Sequence, residues 1–204
     1  MKNLQEVQKA NYKPLIVVGP SGVGKGTLIG ALQEKYPNNF GFSVSSTTRG
    51  PRPGEIDGTH YHFVSMDQFQ ERVKNDEYIE YCNVHTNMYG TSRKALSDLK
   101  DQSKICILDI DIQGAIKVFN AKQAANSVFI YPPSLDILRE RLEKRGTETP
   151  EKVAVRIHNA EGEIQQSHER NDVINFRIIN DDRVRATQEF IELVEALYKA
   201  ELGI

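Results

Sequence analysis

The segment GPSGVGKGT, Gly19 to Thr27, lies between a short apolar run, LIVVG at 15–19, and a stretch with helical spacing at 27–36 that Pro37 closes. A continuous apolar run of this length reads as a strand buried on both faces, and such strands belong to parallel sheets covered by helices. Glycines in the connecting turn permit backbone angles and a close approach that residues with side chains resist. The turned backbone can then aim several N–H groups at one anion, with the helix N-terminus behind them. Gly19, Pro20, Ser21, Gly22, Val23, Gly24, Lys25, Gly26 and Thr27 therefore form a candidate cradle for nucleotide phosphates, with Lys25 as a point charge for the β- and γ-phosphates. The strict pattern places Ser or Thr directly after the lysine. Here Gly26 holds that position, and the hydroxyl that would meet a metal, Thr27, comes one residue late.

The rest of the chain alternates between strand and helix periods. ICILDID at 105–111, SVFIYPP at 127–133 and VINFRII at 173–179 are further apolar runs, with helical stretches between them. This βαβα order predicts an α/β fold on a mostly parallel sheet. Residues 42–98 break the rhythm. THYHFV at 59–64 alternates polar with apolar, YIEY at 78–81 is a further strand candidate, and turn formers crowd RGPRPGEIDG. Ser65 and Gln68 stand in capping-box positions for a helix over MDQFQERVKN. A small mixed module inserted into the core accounts for this. A second insertion begins with a helix at 135–145, capped by Ser134 and stopped at Gly146. Thr149 then caps another, with Pro150 in its first turn and Val153, Ile157, Ala160 and Ile164 on one face. A last helix is expected over 183–201.

Composition limits the function. Lys and Arg number 26 against 28 Asp and Glu, a net charge of −2, which does not suggest an overall electrostatic grip on nucleic acid or an anionic membrane. Hydrophobic residues at 39% suffice for a core, and 204 residues fit one globular unit with inserts at a prior of about 150 per domain. No apolar run approaches the roughly 20 residues of a membrane span. The polar MKNLQEVQKANYK, with room for two turns of helix, lacks the apolar segment of a secretory signal. Cys82 and Cys106 make no disulfide framework and suit a reducing compartment, so cytoplasm is expected.

Arginines narrow the chemistry. Arg49 and Arg52 flank a Pro/Gly loop, while Arg139, Arg141, Arg145 and Arg156 gather around the second insertion. The guanidinium fork suits phosphate, and phosphoryl transfer needs charge compensation on both donor and acceptor. Asp109 and Asp111 fall on one face of the strand ICILDID, with Ile110 on the other. An acidic residue at that end of the sheet is a candidate for holding magnesium through its waters. The histidines, His60, His62, His85, His158 and His168, offer no metal-ligand spacing in a helical or cysteine context. No general-base motif stands out. A phosphate monoester acceptor needs none, since its second pKa is about 6.

The chain resembles the guanylate kinase family, enzymes that phosphorylate GMP with ATP. GPSGVGKGT is joined, in the family's order, by SVSSTTRGPRPGEIDGTHYHFV at 43–64, EYIEYCNVHTNMYGTS at 77–92, ILDIDIQGA at 107–115, RLEKRGTE at 141–148 and INDD at 179–182. The resemblance implies a P-loop NTPase three-layer fold with an inserted GMP-binding module and a lid. The core would comprise 12–42, 98–138 and 163–204, the GMP-binding region 43–97 and the lid 139–162. Arg49, Arg52 and Tyr61, with Tyr89 beside them, would hold the GMP phosphate. Glu80 would accept from the guanine N1–H and exocyclic amine, Ser45 and Thr91 would meet O6, and Asp111 would lie near the amine; Gly90 belongs to the same set. Asp109 and Thr27 match positions associated with Mg2+. Arg141, Arg145 and Arg156 match lid arginines that gather, with Lys25, around the transferring phosphate, and Asn180 matches a residue near adenine.

ATP and GMP are thus the implied partners, with no nucleic acid, membrane or obligate protein partner. A noncatalytic scaffolding module of the same fold is the rival from another class. Such modules generally travel with companion domains and often lack the intact loop or the GMP set, whereas Lys25, Arg49, Glu80 and Asp109 are all present in this short chain. A kinase with another base preference is disfavoured by Glu80 and the Ser45/Thr91 pair.

Overall fold

A computed structural model describes residues 11–52, 54–84, 86–144 and 149–204. The first strand, β1 (Leu15–Val18), shows why its four apolar residues stand in a row. Leu15 and Val17 enter one hydrophobic cluster while Ile16 and Val18 enter another, so both faces of the strand are buried. Burying such a side chain contributes about 1.5–3 kcal/mol. β1 lies at the centre of a five-stranded parallel sheet ordered β2–β7–β1–β8–β9. Its other strands are β2 (Phe40–Phe42), β7 (Ile105–Asp109), β8 (Asn126–Tyr131) and β9 (Phe176–Ile179).

Helices α1 (Lys25–Lys35), α5 (Leu135–Lys144), α6 (Pro150–Glu169) and α7 (Arg183–Leu197) cover one face through Leu32, Leu142, Ile157 and Phe190. On the other face, α3 (Arg93–Asp101) and α4 (Ile112–Asn120) bring in Leu96, Ala115 and Val118. The result is the α/β three-layer architecture expected from the βαβα rhythm. No helix among the described residues is long and apolar enough to cross a membrane.

A second, mixed sheet is ordered β4–β3–β6–β5. It comprises β3 (Ser46–Thr47), β4 (His62–Phe63), β5 (Tyr78–Val84) and β6 (Asn87–Ser92). Helix α2 (Met66–Lys74) covers it, and Ser65 and Gln68 make the expected reciprocal capping box. Phe69 of α2 stacks on Tyr78 at 4.5 Å between centroids. Gly90 makes that stack possible, because a Cβ there would lie 2.9 Å from the Phe69 ring.

Several elements differ from their sequence pattern. β7 stops at Asp109, and Asp111 instead caps α4, its Oδ1 accepting from the Gly114 N–H at 2.7 Å. The two aspartates therefore do not share a strand face. β4 is only two residues long within the alternating 59–64. It is an edge strand, and the Asp57 carboxylate accepts from its outward Phe63 N–H at 2.9 Å. Thr149 stands at the N-cap of α6, but its side chain makes no capping bond. The C-terminal helix is broken at the buried Tyr198, after which α8 (Lys199–Leu202) begins. The edge strand β2, only three residues of which one is glycine, has no recognisable period. Gly146 and residues 1–10 lie outside the described residues.

Candidate active site

The P-loop leaves the end of β1 and enters α1 at Lys25, where strand direction and helix N-terminus converge. Gly19 and Gly24 have φ of +145° and +106°. A Cβ on Gly19 would lie 2.5 Å from the Ile130 carbonyl, and one on Gly24 would collide with the Asn180 amide, so neither position accepts another residue. Lys25 Nζ donates to the Gly19 carbonyl at 2.5 Å and stands 3.6 Å from Asp109 Oδ1 at the end of β7. Burial pushes the Asp109 carboxyl up, and the Lys25 charge opposes that shift. Thr27 and Gly26 are exposed on the first turn of α1.

Two groups from distant parts of the chain brace the loop. Asn180 Nδ2 donates to the Val23 carbonyl at 2.7 Å, while Arg141 donates to the Val23 and Asn180 carbonyls at 3.4 and 2.8 Å. The buried Asn180 Oδ1 has no partner, leaving an unmet acceptor beside the loop. Arg156 of α6 donates to the Ser21 hydroxyl. Arg139 is exposed on α5, and Arg145 lies outside the described residues.

Across the sheet ends, the second sheet contributes a different set. Arg49 makes a two-pronged pair with Glu55, both contacts at 2.9 Å, and its guanidinium lies 5.4 Å from the Tyr61 ring centroid. Tyr61 in turn meets Tyr89 edge-on at 5.9 Å. The Arg49 fork holds the Glu55 carboxyl down at about 2, and Arg49 itself is raised. A carboxylate thus occupies the fork in the geometry that a phosphate would take. Arg52 is exposed beside it, and its backbone N–H donates to Glu55 at 2.7 Å.

Glu80 on β5 is buried, 6% exposed, and accepts from the Thr91 hydroxyl on β6 at 2.6 Å. Burial pushes its carboxyl up, and Asp111 adds to the push; the Thr91 hydroxyl and Lys117 resist it. Gly90 serves the packing of Phe69 and Tyr78 as well as the pairing of β6. A cavity of about 270 Å³ lies between the two sheets, with Ser45, Tyr61, Thr91 and Asp109 in its walls.

Glu163 on α6 was not singled out by sequence. Its Oε2 is buried without a partner, and burial raises its carboxyl to about 7, with Lys25 and Asp111 close enough to act on it in opposite senses. Position 163 follows Arg156 by seven residues, two helical turns on the same face, and that spacing is the only sequence signal that could have marked it. Among the described residues no cluster of three or more His, Cys, Asp or Glu could hold a metal by itself.

A P-loop at the end of a parallel sheet, a lysine beside a carboxylate, and a second, arginine-bearing module are the marks of the P-loop nucleotide kinase fold. Comparisons with known proteins name the branch. The protein-family model described as "Guanylate kinase" matches residues 11–197, and the chain belongs to that family. It is 40% identical over 199 residues to the guanylate kinase of Clostridium perfringens strain SM101, covering 97% of this chain and 88% of that one. To the Schizosaccharomyces pombe guanylate kinase it is 43% identical over 177 residues, 87% of each chain. Guanylate kinase 1 of Oryza sativa is 47% identical over 83% of this chain, which spans only 44% of the rice protein and 40% of its Arabidopsis thaliana counterpart. The crystal structure of guanylate kinase from Anaplasma phagocytophilum superposes with a TM-score of 0.69 at 30% identity, covering 93% of this chain and 88% of that one.

Proposed function

We propose that this chain transfers the γ-phosphoryl group of ATP to GMP, giving ADP and GDP, with magnesium. The observation that carries this is Thr91, which donates to the buried Glu80 and lines the same cavity as Asp109, the partner of Lys25. A carboxylate there rewards the adjacent N1–H and amine of guanine, two donors that adenine lacks. A site built on such bonds rejects the wrong base by leaving its own groups unpaired.

In the proposed reaction, a GMP phosphate oxygen attacks the γ-phosphorus in line, and the bond from that phosphorus to the β–γ bridging oxygen breaks to release ADP. The acceptor is already largely ionised at neutral pH, its second pKa being about 6, so no side chain has to remove a proton. The loop N–H groups and Lys25 stabilise the donor phosphates. Arg49 and Arg52 neutralise the acceptor, with Tyr61 and Tyr89 fixing its place. Arg141 and Arg156 rest on the loop where a triphosphate would lie, and Arg145 completes the set that bears the growing charge. The unmet Asn180 Oδ1 suits the exocyclic amine of adenine.

Thr27 and Asp109 offer a hydroxyl and a carboxylate, the hard oxygen donors that suit Mg2+, which takes its other ligands from phosphates and water. When bound there it would neutralise charge on the donor phosphates. The segments 43–97 and 139–162 are proposed to close over the substrates and exclude water, while 12–42, 98–138 and 163–204 form the base. A reducing, cytoplasmic setting is consistent with thiols that burial pushes up to about 11 at Cys82 and about 12 at Cys106.

A coupled ADP-release assay with GMP, AMP, CMP and UMP tests the assignment. Activity confined to GMP is the expected result. Absence of turnover with all four acceptors returns the chain to the scaffolding class.

A further inference from the structure

Glu80 has an electrostatic problem that its immediate partner does not solve. It is buried, it has the Thr91 hydroxyl on one oxygen, and it faces a second carboxylate, Asp111 at the N-cap of α4. To accept two donors from a base, it has to remain ionised and hold one orientation. Two anions converging on one site without a cation disfavour ionisation. The same helix that presents Asp111 also presents Lys117, six residues further on. α4 packs against β5, and Lys117 Nζ donates to the carbonyl of Tyr81, the residue next to Glu80. The ammonium also sits 5.3 Å from the Tyr81 ring centroid, a second hold on the same residue. Its charge reaches both Glu80 and Cys82 and opposes the effect of Asp111 on each.

We propose that Lys117 is a positioning residue for base selection: by gripping Tyr81 from α4 it fixes the strand that carries Glu80, and its charge offsets Asp111 so that Glu80 meets the base as a carboxylate. Lys117 touches no reacting atom and acts through Glu80. The inference rests on Glu80 being the base-reading group of the proposed function, and Lys117 is not among the residues that the sequence marked.

The test compares the wild-type chain with Lys117→Met, which keeps the length and removes the cation, and Lys117→Arg, which keeps the charge. GMP is set against IMP, whose base lacks the exocyclic amine. In Lys117→Met the KM for GMP should rise about fivefold, a modest effect because the lysine is exposed to solvent. KM for ATP, kcat and Tm should stay close to wild type. The preference for GMP over IMP should shrink, since a weakened Glu80 loses more on the base that offers two donors. Lys117→Arg should restore most of that preference. An unchanged KM for GMP, an equal loss with GMP and IMP, or an arginine variant that behaves like methionine overturns the proposal. Wild-type chain that phosphorylates neither base would instead overturn the proposed function, so the two failures are told apart by the wild-type control.

Discussion

The donor and acceptor sides of the cleft are built in opposite ways. Around the P-loop, the groups offered to a ligand are mostly main-chain N–H groups, and the nearby side chains Asn180 and Arg141 are committed to main-chain carbonyls, Val23 for both and Asn180 for the arginine as well. On the acceptor side the offered groups are side chains, and the charged ones already have neighbours: Arg49 has Glu55, and Glu80 has Thr91. A backbone cradle needs one contiguous segment, whereas a side-chain cradle needs several strands in register. The first is held in shape before any substrate arrives, which is the arrangement that favours electrostatic stabilisation of a transition state. The second has to share or exchange its internal pairs when substrate enters. Donor-side changes should therefore appear in turnover, and acceptor-side changes in KM and base preference.

The largest effect is expected at Lys25, whose ammonium sits at the mouth of the loop between the Gly19 carbonyl and Asp109. Lys25→Met should lower kcat at least about 100-fold, comparable to losing one strong transition-state donor. Single-turnover kinetics under saturating ATP and GMP measure it, and near-normal turnover would remove Lys25 from the chemistry. On the acceptor side, Glu80→Gln should raise KM for GMP by about tenfold to 100-fold, the range for a charged hydrogen bond at roughly 1.5–3 kcal/mol, with KM for ATP unchanged. Equal losses for both nucleotides would erase the distinction between the two sides. Because the amide also removes the repulsion from Asp111, this variant should fold at least as stably as wild type, which excludes misfolding as the cause.

The same contrast explains what sequence could show. The donor side was legible because strand, glycines, lysine and helix follow one another from 15 to 36, and each leaves its own local mark. The parallel core was legible for a related reason: strands buried on both faces are continuous apolar runs. On the acceptor side, residue types alone left the arginines as a cluster without an order, and the family resemblance supplied the individual assignments. The partnership of Glu80 with Thr91 is settled by the register of β5 on β6, which no single segment encodes, whereas Arg49 meets Glu55 within one loop, six residues on. Asp111 shows the limit most clearly. Alternation in ICILDID predicts a strand face shared with Asp109, but the competing capping bond to the Gly114 N–H ends the strand two residues sooner. Glu163 was invisible because its position on an exposed-looking helix stretch gives no hint that its Oε2 is buried without a partner.

Glu163 also stands between the two sides, with Lys25 and Asp111 acting on it from each. Its carboxyl, ordinarily at 4.5, is raised to about 7 by burial, so the folded protein holds this proton more tightly than the unfolded chain. The sign follows: no penalty falls below pH 4.5, the cost of ionisation grows through the interval up to about 7, and it is complete above that. The full shift corresponds to about 3 kcal/mol, and about half of that remains when solvent screening of a half-buried group is counted. Glu163→Gln should therefore raise Tm at pH 8 and leave it unchanged at pH 4.5. Thermal unfolding of both proteins at the two pH values decides it, and a gain of equal size at both would mean that packing rather than charge is responsible.

The smallest effect isolates the acceptor module from the core. Ser65→Ala removes the hydroxyl that accepts from the Gln68 N–H at 3.1 Å, and with it half of the capping box that starts α2. Loss of such a cap costs about 1 kcal/mol, which for a chain of this size lowers Tm by about 2–4 °C. α2 holds Phe69 against Tyr78, and Tyr78 is two residues from Glu80 on the same strand. A frayed α2 should therefore loosen the strand that presents Glu80 while leaving the P-loop, on the other sheet, untouched. Affinity for GMP, measured by calorimetry, should weaken slightly, and affinity for ATP should not change. If both affinities fell together, the module and the core would be one mechanical unit, and the difference between the two halves of the cleft would be one of construction only.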